Sequence, residues 1–316
     1  MGSAGASIKS HKPGNKARQI KRHIPLYIMA LPGLAYLFIN NYMPLPGLAL
    51  AFKNYNAGKG IYGSNWAGLK NFQFLFATQD AFIITRNTLL YNLAFIVISP
   101  ICAITVAIFL SDMIHKAKKF YQSVILMPYM ISMVIVSYLV FAFLSPENGY
   151  INNTILKMLS LEPIAWYSDK RFWPFIIILV HVWKTLGYST IIYMSAILGF
   201  DRSCYESSLI DGASKWQQIT RITLPLLKPT IIMLTLLAVG RIFYSDFGLF
   251  YQVPRNSGPL FPVTNTIDTY VYRGLLELGS ITMSAAAGFY QSLVGFILVL
   301  GANLIVRKID RDSSLF

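Results

Sequence analysis

The chain has 316 residues, of which 55% are apolar and 13% charged, and its formal net charge is +14. Soluble domains carry roughly 25% charged residues, and several apolar runs reach the roughly 20 residues that a membrane-spanning helix needs. The composition therefore excludes an ordinary soluble protein and predicts an all-α polytopic membrane protein. Basic residues flank the apolar runs instead of forming one patch, which argues against a nucleic-acid partner and for membrane lipid.

Residues 1–23 form a basic arm carrying Lys9, Lys12, Lys16, Arg18, Lys21 and Arg22, suited to an anionic cytoplasmic membrane face. A first span is predicted at 24–43, with Pro25 at its start and a kink at Pro32. It runs into Asn40-Asn41-Tyr42 and not into a small-residue cleavage site, so it reads as retained. Further spans follow at 88–110, 121–144 (bent at Pro128), 173–198, 226–243 and 285–306, with a tail at 307–316. Residues 24–306 thus make a six-span domain. Sixteen Lys and Arg lie on the arm, the 2–3 turn, the 4–5 loop and the tail, against nine on the other three loops. The positive-inside rule then puts both termini and the 4–5 loop in the cytoplasm.

Catalytic chemistry has no foothold in this sequence. There is no G-x-x-x-x-G-K-S/T phosphate loop, and Gly58-Lys59-Gly60 is only a glycine-rich turn. His11, His23, His115 and His181 are too dispersed to form a metal cluster, and Cys102 and Cys204 make no disulfide framework. No catalytic residue and no cofactor bound by this chain are expected.

The 4–5 loop, 200–229, is a polar island between apolar spans. Its core, YESSLIDGASKWQQITRITLPLLKP at 205–229, reads as a short helix, a break at Gly212 and a second amphipathic helix. Ala213, Trp216, Ile219 and Ile222 should form an apolar stripe facing away from Lys215, Gln218 and Arg221. Leu224-Pro225 suits a helix restart.

This loop resembles the signature of ABC importer permeases, E-A-A, three residues, G, nine residues, I, x, L-P. It stands here as Glu206-Ser207-Ser208, Gly212, Ile222 and Leu224-Pro225, with serine in place of both alanines. Asn54-Tyr55 and Gly68-Leu69-Lys70-Asn71-Phe72 resemble the first external loop of oligosaccharide permeases. The segments 240–252 and 268–273 are similar to the polysaccharide or complex-oligosaccharide branch of type I importers. The resemblance implies the type I permease fold in a bacterial inner or plasma membrane. It implies a second, related permease subunit, two ATPase subunits that hold ATP and Mg, and an extracellular solute-binding protein that delivers an oligosaccharide. ATPase coupling would fall to Glu206, Ser207, Ser208, Asp211, Gly212 and Ala213. An ion-coupled secondary transporter and an ABC permease for a non-sugar solute are the alternatives.

Polar residues inside spans usually face a bundle interior or a water-filled path. His181, Lys184 and Tyr188 share one helical face of the fourth span, and Arg241, Tyr244 and Asp246 close the fifth. They read either as an oligosaccharide lining or as structural groups, with Arg241 paired to Asp246 or to backbone carbonyls and Lys184 snorkelling or joining an interhelical network. In the last outer loop, Arg255, Gly258 and Pro259 are candidate binding-protein contacts. A related maltose importer subunit sends a segment from this place into its binding protein, and a plain docking surface fits equally well.

Overall fold

Hydrocarbon offers backbone N–H and C=O groups no partner, so apolar runs of this length can only be helices or closed barrels. The computed structural model describes residues 16–309 and is mainly helical, with irregular connections and a two-residue strand pair, Lys53–Asn54 with Asn65–Trp66. It divides into two units, Met1–Ala49 and Leu50–Phe316. In the first, helix α1 (Lys16–Leu37) runs through both Pro25 and Pro32 as one element and continues into a π-turn, Phe38–Tyr42. Residues 16–23 of the expected arm are helical too, and the candidate membrane span starts at His23, beside the expected residue 24.

The second unit contains α2 (Gln79–Ser111), α3 (His115–Met130), α4 (Met133–Leu144) and α5 (Trp173–Leu198). They are followed by α6 (Ser203–Ile210), α7 (Lys215–Val239), α8 (Ile267–Leu276) and α9 (Ile281–Ile309). Among the described residues, five helices are long and apolar enough to cross a membrane, and six spans result if α3 and α4 count as one.

Three expected spans change shape. The second begins nine residues earlier than expected, because Gln79–Asn87 are helical as well. The third is broken by 95° between α3 and α4. Pro128 removes a backbone donor near the end of α3, Ile131 is extended, and Ser132 caps α4 by accepting from the Ile135 N–H at 3.4 Å. The fifth span and the second loop helix prove to be one helix, α7. A capping box between Ser214 and Gln217 starts it. A π-turn at Ile219–Thr223 then lets the Leu224 N–H reach the Ile219 carbonyl, so the helix passes Pro225 without a restart. It stops at Gly240, short of residue 243.

Small residues set the packing of this bundle. Ala103, Ala107 and Leu110 of α2 pack with Tyr193 and Met194 of α5 and with Leu227 of α7. At Gly187 of α5, a Cβ would stand only 2.0 Å from the Ile125 carbonyl oxygen of α3. Backbone contact of this kind is how helices associate where no hydrophobic effect drives them together.

The stretch from α7 to α9, expected as the last outer loop, is a packed segment. Leu249, Phe250, Val253 and Leu260 lie buried with Tyr91, Trp173 and Ile177. The Ser245 N–H and hydroxyl both donate to Asp268 Oδ2 at 2.7 Å, and Gln291 donates to the Phe243 carbonyl at 2.8 Å. Arg273 is only 7% exposed. It donates to Asn256 Oδ1 at 2.8 Å and to Asn265, and lies 4.2 Å over the Phe261 ring. Asn256 passes the interaction on, donating to Glu277 at 3.1 Å. The 268–273 string is therefore a clamp that folds the outer segment down.

Replacing Gly187 with valine forces α3 and α5 apart. We expect Gly187→Val to lower stability by about 1–3 kcal/mol, read as a lower unfolding midpoint of the detergent-purified assembly.

Candidate functional site

Between α2, α5, α7 and the turn after α7 lies a cavity of about 640 Å³. His181, Tyr188, Arg241 and Tyr244, four of the five residues singled out for a solute path, line it together with Asp246. The two rings from α5 are each stacked. His181 lies on Phe95 at 3.6 Å and 10° between planes, and Tyr188 on Tyr129 at 4.9 Å and 12°.

Lys184 does not line this cavity. Its ammonium turns to the end of α3, donating to the carbonyls of Pro128 and Tyr129 at 3.3 Å each and of Ile131 at 2.5 Å. Of its sequence readings, the interhelical network is the one the geometry carries.

Arg241 and Tyr244 sit in the turn beyond Val239, outside any helix. Among the described residues no ion pair joins Arg241 to Asp246, and the Arg241 side chain is exposed. Asp246 instead caps the next turn, accepting from the Leu249 N–H at 3.1 Å. The turn is pinned to α2 by Asn92, which donates to the Ile242 carbonyl at 2.9 Å and to that of Tyr244 at 3.0 Å. Asn87 holds the Asn265 carbonyl at 2.9 Å, and the Tyr91 hydroxyl holds that of Val263 at 2.8 Å. Sequence reasoning missed this row. Its signal was there, two asparagines in or beside an apolar span.

The second site is a hairpin of α6 and the start of α7. Gly212 makes its turn at φ +75°, where side chains are strained, and nothing lies within 4 Å of its would-be Cβ. Glu206, Ser207, Asp211 and Gly212 are exposed, and Ser208 and Ala213 half-buried. Of the expected apolar stripe, Ala213, Ile219 and Ile222 are half-buried, with Lys215 and Arg221 exposed as expected, but two positions depart from it. Trp216 is 72% exposed, whereas Gln218 is 4% exposed and points inward. Helix α7 begins only after Ala213 and its π-turn widens the spiral, so the inward positions become Gln218, Thr223 and Leu227. Gln218 donates to Ser208 Oγ at 2.9 Å, Ser208 donates to the Tyr205 carbonyl at 2.8 Å, and the Tyr205 and Thr223 hydroxyls are 3.0 Å apart. The hydroxyl that replaces the second alanine of the signature is thus used inside the hairpin. Lys215 also reaches Asp112 at the end of α2, at 3.2 Å.

On the outer segment, Arg255 packs its guanidinium 4.3 Å from the Phe141 ring centre and 5.3 Å from that of Tyr138. Gly258 and Pro259 are exposed on a 3₁₀ turn whose last residue, Leu260, is buried, so the segment is no extended arm. Pro259 borders an open cleft with Ser168 and Arg171. Hydrogen bonds from Arg171 hold the Asp169 carboxyl below the usual carboxylate range. Nearby, desolvation pushes the Tyr167 phenol up to about 12.

Residues 104–311 match the family of binding-protein-dependent transport system inner membrane components. The chain belongs to that family. It is 35% identical to the polygalacturonan/rhamnogalacturonan transport system permease protein YteP of Bacillus subtilis, over 91% of this chain and 89% of that one. To Protein LplB of the same organism it is 32% identical, over 93% and 92%. A crystal structure of a bacterial alginate ABC transporter, in complex with alginate pentasaccharide-bound periplasmic protein, superposes at a TM-score of 0.83 and 32% identity. The match covers 92% of this chain and 97% of that one. The fold is that of a type I ABC importer permease, and the chain is an inner-membrane component of such a transporter. Family membership sets the ion-coupled secondary transporter aside.

Loss of Gln218 leaves acceptors of the hairpin unpaired. Gln218→Ala should destabilise it by about 1–3 kcal/mol, seen as faster proteolysis at 211–213 with the spans intact.

Proposed function

We propose that this chain forms half of the membrane path of an ATP-driven importer for an oligosaccharide bearing uronic acids. The observation that carries this reading is the cavity, which combines stacked aromatic rings with the guanidinium of Arg241, held in no ion pair among the described residues. Ring faces suit the apolar faces of sugars, and a guanidinium offers a carboxylate two parallel hydrogen bonds. Similarity to permeases named for polygalacturonan/rhamnogalacturonan and alginate points the same way. An extracellular solute-binding protein would deliver the sugar to the outer face, with Arg255, Gly258 and Pro259 as its contacts and Pro259 at the border of the cleft. A second, related permease would complete the path, and both termini would be cytoplasmic.

The chain needs no nucleotide site of its own in this reading, since ATP and Mg would bind two partner ATPase subunits. The hairpin would be their contact. Glu206 and Asp211 offer carboxylates to basic partner groups, while Ser207, Gly212 and Ala213 keep the surface low. Helix α7 runs unbroken from the hairpin to the cavity, where Leu234, Thr235 and Ala238 join Arg241 in the wall. Closure of the ATPases would therefore reach the solute through one rigid element.

Two measurements on the reconstituted transporter test this reading. Arg241→Gln should lower uptake of a labelled oligogalacturonide by roughly 10- to 100-fold, the value of a charge-assisted bond, and leave a neutral malto-oligosaccharide unchanged. Wild-type uptake of the neutral sugar alone would sink the acidic assignment. Gly212→Trp should insert and assemble normally yet abolish uptake; normal transport at normal expression rules the hairpin out as the coupling contact.

A further inference from the structure

The break between α3 and α4 deprives the last carbonyls of α3 of their i+4 helical partners, at the negative end of the helix dipole, although the Ile131 N–H reaches back to the Pro128 carbonyl at 3.3 Å. An ammonium has three donors and no acceptor. Lys184 places all three on this break, at Pro128, Tyr129 and Ile131. A charge within a span is costly unless it is satisfied, and here it meets the group that most needs a cation. The contact extends along α5. Gly187 lets the Ile125 backbone close in, and Tyr188 stacks on Tyr129. Lys184, Gly187 and Tyr188 together grip the final turns of α3, and Tyr129, inside that grip, lines the cavity.

We propose that Lys184 is a positioning residue, one that fixes the bend between α3 and α4 and thereby holds Tyr129 against Tyr188 on the cavity wall. It does not touch solute. Its charge bonds the helix break, and the break sets the wall. The bend itself needs no assumption about cargo; only the consequence for transport rests on the oligosaccharide reading.

The test uses the fully assembled transporter with Cys102→Ser and Cys204→Ser, and spin labels on Val124→Cys in α3 and Phe143→Cys in α4. The parent should give one narrow distance distribution. Lys184→Met, similar in length but without charge or donors, should broaden it and add a second population, and Lys184→Arg should restore the narrow one. In unlabelled transporter, Lys184→Met should keep binding-protein-stimulated ATP hydrolysis while oligogalacturonide delivered per ATP falls by about tenfold, as expected for a residue that tunes coupling without binding ligand. A narrow distribution in Lys184→Met, or an undiminished yield of sugar per ATP, overturns the proposal. If the methionine variant does not assemble, Lys184→Gln replaces it; its shorter, neutral amide should broaden the distribution, and an unchanged width overturns the proposal equally. The distance measurement requires no sugar, so it decides the role of Lys184 whatever the cargo proves to be.

Discussion

Every irregular stretch in a membrane bundle must find hydrogen-bond partners on neighbouring helices, because lipid supplies none. That demand organises this chain. Helix α2 answers it for the segment after α7, through Asn87, Tyr91 and Asn92. Helix α9 adds Gln291, whose amide meets both the Phe243 carbonyl and Asp268. Helix α5 answers it for the end of α3, through Lys184. In each case one polar side chain on a regular helix satisfies backbone that has left its own. Of these backbone-satisfying groups Asn92 also lines the cavity, beside the turn residues Tyr244, Ser245 and Asp246.

How much of this was legible in the sequence depended on whether the deciding contact was local. Residues 173–198 are helical from end to end as expected, since a proline at the start and a glycine after the end bound that run. The Gly212 turn and its position between spans were also readable, because only local backbone chemistry is involved. The break at 131–132 was not, as Pro128 alone predicts a bend. A full break needs a cation from a residue more than fifty positions away. Continuity through Leu224-Pro225 was hidden for a similar reason: a π-turn, invisible to a 3.6-residue pattern, absorbs the proline.

The polar candidates divide in the same way. His181, Tyr188, Arg241 and Tyr244 come together around one cavity, although they come from two separate segments. Lys184 and Tyr188 both meet the end of α3, but the Lys184 ammonium goes to its terminal carbonyls while Tyr188 stacks on the Tyr129 ring at the cavity wall. In the hairpin, the hydrophobic pattern pointed to Trp216 as buried and to Gln218 as outward. The fold reverses them, since Gln218 finds Ser208 and Tyr205 inside, while nothing apolar awaits Trp216 among the described residues.

The length of α7 has a mechanical meaning. At about 1.5 Å per residue, its 25 residues span roughly 37 Å from hairpin to cavity. If the helix pivots as a rigid rod near its hairpin end, a tilt of about 5° sweeps its far end through roughly 3 Å, about one hydrogen-bond length. Arg241 rides just beyond that end. A small angular displacement at the hairpin would therefore move the guanidinium by about one bonding distance, so the solute contact proposed for Arg241 would need no rearrangement of the helix itself to form or break.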